Sequence, residues 1–451
     1  MGGPTAHTVT KETMSSQSPS DAANRPVRFA ALQSRDFRLF WLGVFISGIG
    51  TQMQFVAINY QVYNISQSAF ALGAVGLFRV IPIVGLSLFA GLIADAVDRR
   101  RLLFFTQIFM MAVAAALAFL TATGQVTVWM IYLLTMLSAA AVAFDSPARQ
   151  SLVPNLVPRE HFANAASLNT IAWQGANIIG PAAAGLIIGR LGLATVYWLN
   201  AASFIAVLIA LVLMRTRVPS GGMQTVSVGA LKEGLRFVFR TPIIRSTMLL
   251  DFVATFFGAA QQLLPIFAEA MGVGAEGLGV LYSATAIGAV GASVVMSFIH
   301  QLRRQGPLLL VSVGVYGLAT IVFGLSRSFW ITFAALAVTG AADIVSTVIR
   351  QTVRQLATPD RLRGRMVSVN MIFFMGGPQL GELEAGVLAG LVGAPVSVAI
   401  GGLACVACVA AVGYFSKTLR HYDDERSLER PSEQAPEPAP SPAPSATPAS
   451  D

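Results

Sequence analysis

Twelve runs of about twenty mostly apolar residues occupy this chain, each long enough to cross roughly 30 Å of hydrocarbon at about 1.5 Å per residue. In the first half they lie near 39–62, 69–93, 102–122, 127–147, 164–189 and 194–214. In the second they lie near 246–268, 277–299, 307–325, 329–349, 366–390 and 395–416. Polar residues interrupt the first and fifth runs. Backbone groups in lipid must find partners within their own segment, so the runs are read as helices. Composition agrees: 55% of the 451 residues are hydrophobic and 12% charged, about half the roughly 25% that clothes a soluble domain. The expected fold class is an all-α integral membrane protein with twelve transmembrane helices.

Charge placement sets the topology. With the N-terminus inside, 27 of the 30 Lys and Arg residues fall on inside segments. Only Arg190 and Arg327 fall outside, and Arg79 lies within a span. So one-sided a split predicts an even number of spans, a multi-pass protein of the cell membrane, and both termini cytoplasmic. The net charge of +8 is then a topology signal. No basic segment is interleaved with stacking aromatics, so nucleic acid is not an expected partner. Residues 1–36 are polar and read as a disordered arm without a cleaved signal peptide. The segment 215–245 joins the halves and places Lys232, Arg236 and Arg240 at four-residue spacing. That spacing predicts an amphipathic helix, either on the inner leaflet or simply solvated. The Pro- and Ala-rich stretch 417–451 reads as a disordered tail.

The chain repeats itself at an offset of 201 residues. Arg149-Gln150 falls on Arg350-Gln351, Ser167 on Ser368 and Asn169 on Asn370. Gly180, Gly185 and Gly189 fall on Gly381, Gly386 and Gly390, and Gln61 falls on Gln262. Two six-helix bundles, 37–214 and 246–416, follow from this, related by an axis along the membrane normal. Gly-rich helices also align easily, but the Arg-Gln and Ser-x-Asn matches go beyond that.

Between the second and third spans the sequence reads Gly91-Leu-Ile-Ala-Asp95-Ala-Val-Asp98-Arg99-Arg100-Arg101. This resembles the signature of the major facilitator superfamily, Gly-x-x-x-Asp-x-x-x-Arg followed by basic residues, with Asp98 where many members carry Gly. The stretch PARQSLVPNLVPREHFANAASLN adds a resemblance to the branch of enterobactin-type and secretion-type exporters, covering about 37–416. Asp95 and Arg99 would pair on one face if the helix ran on through both. The resemblance implies a gating motif of Gly91, Asp95, Asp98, Arg99 and Arg100 that locks the halves; the plainer alternative is a positive loop. In the fifth span, Gly180-Pro181-Ala-Ala-Ala-Gly185 resembles the family's antiporter motif, with Ala replacing two Gly, and implies export. Ordinary close packing by small residues is the alternative.

Ionisable groups inside a membrane are costly and mark candidate sites. Here they are Arg79, Asp251, Asp343, Glu382 and Glu384. Asp251 reads as shallow and the weakest candidate. A buried carboxylate that binds and releases a proton is what a coupling site requires. The alternative is a structural pair, such as Arg79 with an acid on another helix. Glu382 and Glu384 stand about 200° apart around a helix and cannot face one cavity. Gln52, Asn59 and Gln61 give the first span a polar face, for a solute or for interhelical hydrogen bonds.

No GxxxxGK[ST] loop is present, so direct ATP coupling is unsupported. The four histidines are scattered, and Cys405 and Cys408 read as small apolar residues rather than a metal pair. No metal and no cofactor are expected, and an enzyme is not. The expectation is a monomeric, proton-driven exporter of an amphiphilic small molecule, with membrane lipid around it and a central cavity. Alternatives are a dedicated siderophore exporter, an importer, or a receptor or scaffold that transports nothing.

Overall fold

The computed structural model describes residues 29–216, 228–299 and 304–420, with Gly2 and Tyr422; the side chains of 87–96 and of several positions in the linker and in 360–375 fall outside that description. Six long helices build the first half: α1 (Arg35–Ser66), α2 (Ala69–Ala96), α3 (Arg99–Ala122), α4 (Val128–Leu152), α5 (Phe162–Leu191) and α6 (Leu193–Leu213). The linker helix α7 (Val228–Arg240) follows. The second half comprises α8 (Pro242–Phe257), α9 (Leu264–Ala270), α10 (Gly274–Ser297), α11 (Gln305–Leu325), α12 (Phe329–Ala357), α13 (Asp360–Val392) and α14 (Ala394–Phe415), with a short α15 (Lys417–Arg420). Among the described residues, eleven spans are long and apolar enough to cross a membrane. The expected twelfth, 366–390, lies within α13. Its 33 residues reach about 50 Å, but charged positions dilute its hydropathy.

The halves share a plan and differ at one helix. α1 runs unbroken for 32 residues. The corresponding second-half span is interrupted between Phe257 and Leu264, where a single 3-10 turn, Gln261–Leu263, intervenes. Pro265 explains the break. It has no N–H to donate, and its ring would meet the carbonyl four residues back, so it starts α9 rather than continuing α8. Gly258 permits the turn to sit tightly: a Cβ there would collide with the Tyr316 ring. The Tyr316 hydroxyl donates to the Gly258 carbonyl at 3.1 Å.

The apolar cores show where the halves meet. One cluster on the membrane face away from the described termini draws on both halves, joining Val56, Leu72 and Val196 to Leu264, Leu278 and Ala385. On the termini face each half has its own cluster: Phe37, Leu103, Leu152 and Leu211 in one, Ile244, Leu309, Ile349 and Val353 in the other. The joining seams are helix pairs α2·α13 and α5·α10. Both are lined by glycine. A Cβ at Gly73 would lie 2.8 Å from the Gly386 Cα, and one at Gly185 would lie 2.9 Å from the Gly279 Cα. Backbones pack this closely only where neither side carries a side chain.

Some residues that the sequence places outside the bundles are packed against them. Ala31 is buried, and Asp36 accepts from the Arg215 and Thr216 backbone N–H groups at 3.0 and 2.8 Å. The arm up to residue 28, and linker residues 217–227, lie outside the described residues. Beyond 416, Leu419 is buried and the Gly306 N–H donates to the Tyr422 carbonyl. Arg149, Arg350 and Arg354, read as loop residues, belong to α4 and α12. Those helices run beyond their apolar stretches because carboxylates are waiting for the guanidinium groups.

Candidate functional site

The loop between α2 and α3 carries the first expected motif. α2 ends at Ala96, so the helix does not run from Asp95 to Arg99 and the two do not share a helical face. The side chains of Gly91 and Asp95 fall outside the described residues. Asp98 caps α3, accepting from the Arg100 and Arg101 N–H groups at 2.9 and 3.3 Å. A short acid at that position satisfies donors that the first helical turn leaves free. Arg99 donates to the Ser151 carbonyl and Arg100 to the Val212 carbonyl, both at 3.2 Å. These are the last turns of α4 and α6, where carbonyls lack helix partners and a cation is favoured. In this conformation both arginines bind their own half.

The second motif lies in a seam. Gly180 packs on Ile49 and the Gln52 Cβ of α1, and Gly185 packs on Ala275 and Gly279 of α10. Pro181 disturbs the turn around Ile178, whose carbonyl accepts from the Ser283 hydroxyl of α10 at 2.8 Å. α5 nevertheless continues through the proline.

The polar face of α1 is mostly spent on pairing. The Tyr197 hydroxyl donates to Gln61 at 2.7 Å, and Gln61 donates to Thr121 at 3.0 Å. Asn200 donates to Gln54 at 2.7 Å. Asn59 donates across the halves to the Tyr282 hydroxyl at 3.2 Å. Gln61 is therefore a structural residue within the first half, and Asn59 a link between halves.

A cavity of about 200 Å³ lies in the second half, walled by the broken α8–α9 segment and by α10, α11, α12 and α13. It is not the expected chamber on the axis between bundles; its lining comes from one half. Asp343 and Glu382 both line it, whereas Glu384 does not, as the 200° separation requires. Glu382 also borders the α2 seam, its Cβ and Oε2 lying against Gly76. Its Oε2 is buried without a hydrogen-bond partner, and its backbone carbonyl accepts from Gln262 at 2.6 Å. Arg79 is the cation that acts on it; the Arg79 guanidinium rests 4.7 Å from the centre of the Phe55 ring, a cation–π contact.

Behind the cavity stands an ion cluster. Arg350, only 3% exposed, lies 3.0 Å from Asp251 and 3.6 Å from Asp343. It also donates to Ser346 and Thr347, both at 2.8 Å. Arg354 lies 3.4 Å from Asp251 and donates to Asn370. Asp251 is thus a buried hub between two arginines, beside the termini-face cluster of its half. The first-half acid Asp145 is not among the sequence candidates, although it stands four residues before Arg149, a spacing that pairs on one helical face. It binds Arg149 at 2.7 Å and accepts from Thr106 and Gln107. Among the described residues no group of three or more His, Cys, Asp or Glu is placed to hold a metal.

Two gathered bundles, glycine seams and a polar cavity beside a seam define a membrane transporter of the major facilitator type. The chain belongs to the family described as transmembrane secretion effector, which it matches over residues 27–441. It is 25% identical to the enterobactin exporter EntS of Escherichia coli over 332 residues, covering 73% of this chain and 79% of the relative. Against EntS of Shigella boydii the identity is 25% over 331 residues, with the same coverage. Among solved structures it resembles a bacterial homolog of the human lysosomal transporter Spinster in an inward-facing, occupied conformation. That likeness has a TM-score of 0.64 at 15% identity, over 84% of this chain and 94% of the other. It also resembles a bacterial homologue of the iron transporter ferroportin in an inward-facing state, with a TM-score of 0.64 at 14% identity, over 86% and 99%. By sequence and fold these relatives are transporters and not enzymes.

Proposed function

We propose that this protein exports an amphiphilic small molecule across the cytoplasmic membrane, driven by the proton-motive force, through alternating access of its two halves. Glu382 carries the reading. One carboxylate lies both on the cavity wall and in the α2·α13 seam, with an oxygen that nothing satisfies. A proton taken up there removes a buried charge from the seam and changes the cavity in the same event. A group that feels both states can bias the equilibrium between them. Arg79 supplies the opposing charge when the proton leaves.

The export direction is supported by the similarity to an exporter and by the small-residue packing around Pro181. One chain holds both halves, so a monomer in lipid suffices, without a cofactor. The termini face is assigned to the cytoplasm from the lysine and arginine bias. The similarity to the enterobactin exporter favours a dedicated siderophore exporter as the second reading, over a broad drug pump.

The test compares metabolites in cells and medium, with and without the protein and with an uncoupler. Export predicts one or more compounds shifted outward, with the shift lost on uncoupling. Glu382→Gln is expected to remove the pH dependence of that flux; an unchanged proton-driven flux would exclude Glu382 as the coupling group. Inward accumulation would point to import. No movement of any solute in either direction would point to a receptor or scaffold.

A further inference from the structure

We propose that the cavity in the second half is a receptor for a positively charged nitrogen, the primary ammonium end of an otherwise apolar solute. The purpose of such a site rests on the transport reading above, but its chemistry rests on the cavity wall. Both charged side chains that line it, Asp343 and Glu382, are acids, while Arg350 and Arg79 are not part of the lining. Asp343 is open to the cavity, with its side chain 49% exposed. Its hold on Arg350 is the looser one, at 3.6 Å, because Arg350 sits closer to Asp251 and is also bound by Ser346 and Thr347. The Asp343 charge is therefore left for something in the cavity.

Gln262 supplies an independent indication. It is 1% exposed and lines the cavity. Its Nε2 donates to the Glu382 carbonyl, which leaves Oε1 as the acceptor still to be met. That Oε1 has no donor, and a buried acceptor without a donor is costly. The wall thus holds one exposed acid, Asp343, and beneath its surface two acceptors that no donor meets, Gln262 Oε1 and Glu382 Oε2. An ammonium group carries three donors and no acceptor. A carboxylate or phosphate in the same place would meet like charge. Tyr316 and Phe323 supply ring faces, which attract a cation and accept an apolar stem. The cavity of about 200 Å³ has room for roughly six or seven waters. An aryl-alkyl ammonium group fits; of a larger substrate only the charged end enters.

Three probes of matched size decide this: benzylamine, benzyl alcohol and benzoate. Each is offered to the full chain in lipid nanodiscs, with saturation-transfer NMR as the readout and empty nanodiscs as reference. Benzylamine is expected to bind at least tenfold more tightly than benzyl alcohol, with benzoate not bound. Asp343→Asn is expected to weaken benzylamine at least tenfold and leave benzyl alcohol unchanged. Benzoate binding as well as benzylamine, or benzylamine unaffected by Asp343→Asn, would overturn the proposal. If the variant does not fold, the order of the three probes on the unaltered protein decides alone. No gradient is present, so a reversed probe order leaves export standing. A failed export assay leaves a confirmed probe order standing in turn.

Discussion

Arg149 and Arg350 occupy equivalent places in the repeat, yet the two halves hold them differently. Arg149 is bound by Asp145, one turn earlier on its own helix, and its side chain keeps 27% exposure. Arg350 has Ser346 at the Asp145 position, and its nearer acid comes from another helix, α8. The same contrast runs through both interiors. In the first half, Gly50 stands at the position equivalent to Asp251, and Asn200 and Ser203 pack against it, beside the Asn200–Gln54 bond. In the second half the acid, the broken helix and the cavity occur together. At the seams, Pro181 in α5 corresponds to Glu382 in α13. One copy of the repeat pairs its buried acid with an arginine on the same helix and, at the position of Asp251, has a glycine. The other keeps charges against a cavity, where a proton or a solute can act on them.

The largest expected effect strikes that contrast directly. Asp251→Ala takes the nearest acid from two arginines, and breaking a buried ion pair typically costs about 3–5 kcal/mol. Asp145→Ala strands only Arg149, which can reach water, and is expected to cost about 1–3 kcal/mol. Thermal unfolding in detergent, followed by tryptophan fluorescence, ranks the two. Equal losses would mean the halves bury their ion pairs to the same degree, and the comparison would fail.

The seams are expected to behave alike even though the interiors do not. Gly185→Leu and Gly386→Leu each drive a side chain into a facing backbone, an overpacking cost of about 1–3 kcal/mol. Part of that strain is relieved by parting the halves on the far face. Spin labels at Gln125 and Arg327, on exposed far-face turns of opposite halves, should show longer distances in both variants. A shift in only one variant would extend the asymmetry of the interiors to the seams.

Much of this was legible in the residues, and the failures have physical causes. Spans follow from apolar length, and the 201-residue repeat placed Gly185 and Gly386 at equivalent points, which proved to be the seams. Glu382 stood out because a carboxylate in an apolar run is expensive. The partners of Asp251, Arg350 and Arg354, were assigned to a loop because their helix outruns its apolar stretch, so the ion cluster around Asp251 was not foreseen. Asp98 was grouped with Asp95 by resemblance to a family motif, and the capping role that the helix boundary between them gives it was not read from the residues. The break before Pro265 was visible as a proline inside a span. That the break walls a cavity depends on Tyr316 from a distant helix, and no local pattern records that contact.

The α3 cap, in the first half, gives a smaller test. Asp98→Ala removes the acceptor for two N–H groups, a loss of about 0.5–2 kcal/mol. The effect should appear as lower thermal stability with probe binding to the second-half cavity unchanged. A change in that binding would show that the termini-face loop communicates with the cavity.

The smallest expected effect belongs to Tyr316→Phe, and it asks whether the broken helix is held or merely tolerated. The ring packs against Gly258 and the hydroxyl donates to its carbonyl. Removing the oxygen keeps the packing and deletes one hydrogen bond, worth about 0.5–1.5 kcal/mol. The freed carbonyl lies on the cavity wall, where water can take the donor's place, so the loss should fall at the low end. Alanine stands at the equivalent first-half position, 115, so nothing comparable braces the unbroken α1. Amide hydrogen exchange over 257–264 provides the measurement. Faster exchange in the variant, with the remainder of α8 unchanged, would mean the tyrosine fixes the break and thereby the shape of the cavity. Unchanged exchange would assign the break to Pro265 and Gly258 alone.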